Sequence, residues 1–215
     1  MKKKLLIWDF DGVIADTEIL WLKNRQALLK SYMNINWDFA TIEKHLKGMS
    51  DYTKREKLNS LGIITDDKFW DISYQMDQET MKTVGFKLTS GVEDIFKLNI
   101  KQCIATGGLA PKTKQKIEIV GIGNYFPTEH IFTADMVTKG KPEPDLFLLA
   151  AQKMGESATD SVVIEDSVAG LTAAIRAGAT PVAFTKDHIS EIKALGVKYI
   201  FDNMADIKNL ILDLF

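Results

Sequence analysis

Cysteine is the scarcest residue in this chain of 215: only Cys103 is present, so no disulfide can close within it. It sits in the apolar stretch Cys103-Ile104-Ala105 and reads as a buried strand thiol rather than a nucleophile. Histidine is nearly as rare, and His45, His130 and His188 are too scattered to offer zinc-ligand spacing. No stretch approaches the roughly 20 apolar residues that a membrane span requires. The basic start, Lys2-Lys3-Lys4, imitates the head of a signal peptide, but Asp9 and Asp11 end the apolar run after Leu5-Leu6-Ile7-Trp8. An excess of one charge is missing too. Lys and Arg number 27 against 29 Asp and Glu, a net charge of −2, which argues against nucleic acid or an anionic membrane as the main partner. No internal repeat, low-complexity tract or heptad seam is present, so repeat and coiled-coil architectures are excluded. The expectation is a reduced, cytoplasmic protein, monomeric or weakly dimeric.

What is present is globular in composition, 46% hydrophobic and 26% charged. At about 150 residues per domain, the length corresponds to roughly 1.4 domains. Leu5–Trp8 opens directly into Asp9-Phe10-Asp11-Gly12, the profile of a buried parallel strand followed by a polar loop. After Asp16 the spacing becomes helical, with Asp16 or Thr17 placed to cap the helix. No strand is expected from 17 to 84, where helices over Thr41–Lys47, Asp51–Leu61 and Asp66–Thr83 follow one another. Aromatic side chains are frequent here, and Trp21, Trp37, Trp70 and Tyr74 are expected to build a small core.

Strand and helix then alternate. Helices are expected over Gly91–Leu98, Lys112–Val120, Asp145–Lys153, Val168–Ala177 and Ala205–Phe215, and strands over Gln102–Thr106, Ser161–Ile164 and Pro181–Phe184. This pattern implies an α/β fold with a doubly wound parallel sheet, Rossmann-like, formed by residues 1–16 and 85–215. The all-helical segment 17–84 interrupts it after the first strand and is therefore an inserted domain.

Ligands of open α/β sheets bind outside the carboxyl ends of the strands, and four polar elements stand there. Asp9 and Asp11 follow the first strand; two carboxylates on one loop repel unless a cation lies between them or one keeps a proton. Thr106-Gly107-Gly108 offers a hydroxyl and backbone N–H groups at a strand-to-helix turn, a cradle for phosphate. Lys141 lies in a loop stiffened by Pro142 and Pro144 and is either a candidate counter-charge for phosphate or a solvated loop lysine, with Lys139 competing for the role. Glu165-Asp166-Ser167 ends the strand Val162-Val163-Ile164 and suits magnesium, although Asp166 or Ser167 alone would equally serve as a helix cap.

In this order the four elements resemble the haloacid dehalogenase-like hydrolase superfamily. The residues that carry the resemblance are Asp9-Phe10-Asp11-Gly12-Val13-Ile14-Ala15-Asp16-Thr17, Thr106, Lys141-Pro142-Glu143-Pro144 and Ile164-Glu165-Asp166-Ser167-Val168-Ala169-Gly170. They span essentially the whole chain, and the phrase Leu46-Lys47-Gly48-Met49-Ser50 in the insertion is similar to the β-phosphoglucomutase and sugar-phosphatase branch. The resemblance implies that the insertion is a helical cap and that Asp9 is a nucleophile forming an aspartyl-phosphate. It further implies that Asp11 is the acid and base. Asp9, the Asp11 backbone carbonyl and Asp166 would be ligands of Mg2+, with Glu165 ligating directly or from behind. Thr106, Gly107 and Lys141 would hold the phosphoryl oxygens. Trp21, Gly48 and Arg55 are the cap residues placed to meet the substrate.

The second aspartate, which dehalogenases of the superfamily typically lack, favours phosphoryl transfer. A mutase would need an arginine for a second phosphate where this chain has Asp51, with Arg55 a turn later, and the mutase's cap histidine is replaced by Trp21. The expected activity is thus hydrolysis of a small phosphorylated metabolite (sugar, sugar acid or nucleotide), with a phosphosugar mutase as the alternative. A non-catalytic phospho-accepting receiver would place its acidic pair first and its acceptor aspartate later, the reverse of the order here.

Overall fold

The computed structural model describes residues 2–49 and 51–215. The chain divides into two compact units, Met1–Asp16 with Lys87–Phe215, and Thr17–Phe86. The first unit is built on a six-stranded, wholly parallel sheet. Its strands are β1 (Leu5–Trp8), β2 (Gln102–Thr106), β3 (Ile131–Thr133), β4 (Ser161–Glu165), β5 (Thr180–Phe184) and β6 (Tyr199–Phe201), in the order β3-β2-β1-β4-β5-β6. That order is doubly wound, and it reverses direction between β1 and β4.

β1, β2 and β4 are buried along their entire length, which explains their uninterrupted apolar sequences. Alternation sends their side chains to opposite faces. Leu5, Ile7, Cys103, Ala105 and Val163 form one core with Leu146, Phe147, Ala150 and Ala174. From the other face Trp8 meets the edge of Phe96 at 5.2 Å and donates from its indole nitrogen to Gln102 at 3.0 Å. Cys103 is buried in this sheet, and burial pushes its thiol up, in keeping with a structural residue.

The second unit contains α1 (Glu18–Met33), α2 (Phe39–Leu46), α3 (Asp51–Ser60) and α4 (Asp67–Thr83), and no strand among its described residues. Asp38 and Asp66 cap α2 and α4, each accepting a backbone N–H three residues on at 2.8 Å. Thr17 stands at the start of α1 without a capping side-chain hydrogen bond, contrary to expectation. Its core joins Leu22, Leu29, Ile42, Leu46, Leu58 and Phe69, with Trp37 and Trp70 packed against them. Tyr74 was expected there and is instead 55% exposed; Phe69, fully buried, is the ring that fills the centre.

Around the sheet run α5 (Val92–Phe96), α6 (Ala110–Val120), α7 (Asp145–Lys153), α8 (Val168–Arg176), α9 (Ile189–Ala194) and α10 (Met204–Leu214). The sequence reading missed β3, β6 and α9. Two are three-residue strands at the sheet's edges and the third is a helix of six residues, all too short to establish a period.

An ion pair is sealed into the helical unit. Arg25 and Asp77 are each 1% exposed and 3.0 Å apart, and Arg25 also reaches Asp51 at 3.0 Å. Asn24 donates to Asp77 at 2.9 Å. Breaking a buried pair strands a charge, so Asp77→Leu is expected to lower stability by about 3 kcal/mol. A urea melt would show this as a reduced midpoint, and Arg25→Met combined with Asp77→Leu should cost less than Asp77→Leu alone.

Candidate active site

In open α/β sheets the ligand crevice lies outside the carboxyl ends of the strands where the order reverses, here β1 and β4. Register fixes what meets there: Trp8 pairs with Ile104 on one side and Ile164 on the other, so the next residues out are Asp9, Ala105 and Glu165. The loop leaving β1 is unusually buried for a connection, with Phe10, Val13, Ile14 and Ala15 inaccessible. It folds back through hydrogen bonds from the Ile14 and Ala15 N–H groups to the Phe10 carbonyl and from Gly12 N–H to the Ala15 carbonyl. Gly12, at φ +81°, makes the turn, and a Cβ there would fall 1.9 Å from an Asp166 carboxylate oxygen.

Lys141 stands at the centre. Its ammonium lies 2.5 Å from Asp9, 2.7 Å from Glu165 and 3.2 Å from the Ala105 carbonyl, and 4.9 Å from the centre of the Phe147 ring. Lys139, its competitor in the sequence, is exposed. Burial works against the Lys141 charge, but Asp9 and Glu165 outweigh it and hold its pKa above the ordinary lysine value. Burial pushes the Asp9 carboxyl up to about 7; Lys141 opposes the shift, while the charges of Glu165 and Asp11 add to it.

Glu165 spends its other oxygen on the Ser167 backbone N–H at 2.8 Å and hydroxyl at 2.9 Å. Ser167 caps α8 by accepting from Gly170 N–H at 3.0 Å, so of the two residues offered as its cap, Asp166 and Ser167, it is Ser167 that fills the role. The first turn of α8 lies directly on Glu165: a Cβ at Gly170 would be 1.7 Å from its carboxylate. Thr106 is buried and its hydroxyl accepts from Gly108 N–H at 3.1 Å, while the space a Cβ would need at Gly107 is open. Asp9, Thr106, Lys141 and Glu165 are thus gathered around one crevice, with Asp11 and Asp166 beside it.

Sequence reasoning missed Lys116. It lies on the buried face of α6 with Thr113 and Ile117, and its ammonium is 2.5 Å from both oxygens of Asp11. The i, i+3, i+4 spacing of those three residues was the available signal.

The cap candidates all fall in the helical unit. Trp21 is buried on α1; Gly48, at φ +73°, donates its N–H to Glu18; Arg55 pairs with Asp67 at 2.9 Å. Ser50, last of the cap phrase, lies outside the described residues.

Acidic oxygens outnumber ammonium groups in the crevice, which is the condition for binding a hard cation. Among the described residues no three His, Cys, Asp or Glu side chains converge as a metal cage. Mg2+ does not need one: it is commonly held by one or two carboxylates, completed by other oxygens and substrate phosphate. Asp9 and Asp166 fit that donor set.

The family model for haloacid dehalogenase-like hydrolases matches residues 6–184, from β1 through β5. The chain belongs to that family. Within it, this hydrolase lies in the phosphatase branch expected from its motifs. It is 28% identical over 181 residues to the fructose-1-phosphate phosphatase YqaB of Escherichia coli K12, covering 80% of this chain and 92% of that protein. It is 38% identical to hexitol phosphatase A of the same organism over 88 residues, which span only 40% of this hydrolase and 39% of that one. A haloacid dehalogenase-like protein of unknown function from Agrobacterium tumefaciens superimposes with a TM-score of 0.86 at 25% identity, over 98% of both chains. Among the described residues of this hydrolase no helix is long and apolar enough to cross a membrane.

The raised Asp9 pKa has a consequence for stability. The folded protein holds a proton that the unfolded chain releases near pH 4, so without divalent metal, stability falls as pH rises from about 4 to about 7. Asp9→Asn in EDTA should therefore melt above the parent at pH 8, and the gap should close by pH 4, as differential scanning calorimetry would read.

Proposed function

We propose that this hydrolase is a magnesium-dependent phosphatase acting on a small phosphorylated carbohydrate through an aspartyl-phosphate on Asp9. One observation carries the reading: a buried lysine joins the carboxylate after β1, the carboxylate ending β4 and the carbonyl beside Thr106. A cation so placed serves an anionic substrate brought against a carboxylate nucleophile, which would otherwise repel it.

In this reading Asp9 attacks phosphorus. Asp11 gives a proton to the departing alcohol and takes one from the water that later opens the aspartyl-phosphate. Thr106, the Gly107 N–H and Lys141 hold the phosphoryl oxygens as charge develops on them. Asp9, Asp166 and the Asp11 backbone carbonyl are the groups that would hold Mg2+. When bound, the ion neutralises charge between nucleophile and phosphoryl group. Glu165, both of whose oxygens are engaged, acts from behind by fixing Lys141. Residues 17–84 serve as the cap domain that reads the rest of the substrate, with Trp21 its first candidate, and residues 1–16 and 85–215 as the catalytic core.

Carbohydrate phosphates are favoured as substrates by the relatives, one of which is named for fructose 1-phosphate. Hydrolysis is favoured over mutase chemistry by Asp51, an acid tied to Arg25 where a mutase needs an arginine for the second phosphate. A cytoplasmic location and a monomeric or weakly dimeric state belong to the same reading.

Purified protein incubated with a panel of phosphate monoesters should release phosphate with Mg2+, lose this on chelation and regain it on adding metal. Asp9→Asn should reduce turnover by about 10^3-fold or more, as removal of a covalent nucleophile does. Undiminished phosphate release by Asp9→Asn would refute the mechanism, and interconversion of hexose 1- and 6-phosphates outpacing phosphate release would establish the mutase.

A further inference from the structure

Lys116 is a buried charge to which neither the nucleophile nor the phosphate loop assigns a task. Its side chain is 3% exposed and that of Asp11 35%, so the lysine grips the carboxylate from inside the fold. The ammonium is equidistant, at 2.5 Å, from the two oxygens and lies 5.3 Å from the centre of the Phe10 ring. The phosphate loop rests on the same helix face: a Cβ at Gly108 would come within 3.0 Å of the Thr113 hydroxyl and 3.9 Å of the Lys116 ammonium. A buried ion pair gains little over an apolar pair of similar volume, so stability does not account for a lysine here. What a two-oxygen grip supplies is direction, since it fixes the rotation of the carboxylate. Asp9 has Lys141 and Asp11 has Lys116, so the two carboxylates of one loop are turned toward different cations.

We propose that Lys116 is a positioning residue for phosphoryl transfer, holding the Asp11 carboxyl in the orientation that reaches the departing alcohol. The inference rests on the phosphatase reading of Asp11. In the step concerned, the bond from Asp9 oxygen to phosphorus forms and the bond from phosphorus to the ester oxygen breaks. Asp11 enters the step protonated; its proton passes to that ester oxygen and leaves the carboxylate that Lys116 holds by both oxygens, while Lys116 neither gains nor loses a proton.

The test compares kcat/KM on two substrates with Mg2+ present. One is p-nitrophenyl phosphate, whose phenolate departs with little need of a proton. The other is an alkyl phosphate that the parent enzyme hydrolyses, whose alkoxide does need one. Lys116→Met should lose at least tenfold more on the alkyl ester than on the aryl ester, and Lys116→Arg should recover part of that difference. A structural role alone would lower both substrates alike, and equal losses, or none, overturn the proposal. If Lys116→Met does not fold, judged by its circular dichroism melt, Lys116→Arg decides: the same skew in smaller measure supports the proposal and an equal loss overturns it. A parent enzyme inactive on every monoester would overturn the phosphatase reading and this inference with it, whereas an active parent with unskewed variants overturns this inference alone.

Discussion

One ammonium group shared by two buried carboxylates is the constraint on which the crevice depends. Asp9 and Glu165 leave neighbouring parallel strands at the same level, so strand register alone would press two negative charges together out of water. Lys141 converts that repulsion into cohesion, and everything nearby serves to keep it in place. Ser167 takes the second oxygen of Glu165, and the missing side chain of Gly170 lets α8 settle on the same carboxylate. Burial, reinforced by the charges of Glu165 and Asp11, still leaves Asp9 with a raised pKa, and the surplus of acid over base gives the protein a physical reason to take up a cation.

Close backbone approach is the second organising theme. At Gly12 and Gly170 a single carbon would occupy the place of a carboxylate, and at Gly108 it would crowd Thr113. These are the points where loops from β1, β2 and β4 are drawn inward, so that charged side chains from distant parts of the chain meet within hydrogen-bonding distance. The helical unit meanwhile satisfies its own charges, Arg25 on Asp77 and Asp51, and Arg55 on Asp67.

Much of this was legible in the sequence because the central strands are buried on both faces. β1, β2 and β4 therefore appear as apolar runs, and the polar residue that ends each run marks the crevice. The edge strands β3 and β6 are too short to leave such a trace. Asp9, Thr106 and Glu165 could be picked out by position at strand ends, and Lys141 by the prolines that stiffen its loop. Lys116 could not, because a lysine in a helix is normally solvated and only its helical phase with Thr113 and Ile117 betrays it. Tyr74 failed for the complementary reason: an amphipathic ring carries no mark of which way its helix face turns. Arg25 was missed because its counter-ions, Asp51 and Asp77, lie on other helices and no local spacing announces the triad.

The interrupted sheet has a consequence for the order in which the molecule can be made. β1 is translated first, yet both of its partners come much later, Gln102 opposite Leu6 on one side and Val163 opposite Ile7 on the other. On a ribosome the earliest strand must therefore wait, unpaired and wholly apolar, while the helices that follow close through contacts nearer in sequence. Asp9 at the end of that strand acquires its lysine only when β2 and the loop carrying Lys141 have been synthesised. The centre of the sheet is consequently completed only after β4 has been made, and a nascent chain that has not yet reached Lys141 holds Asp9 without its counter-ion.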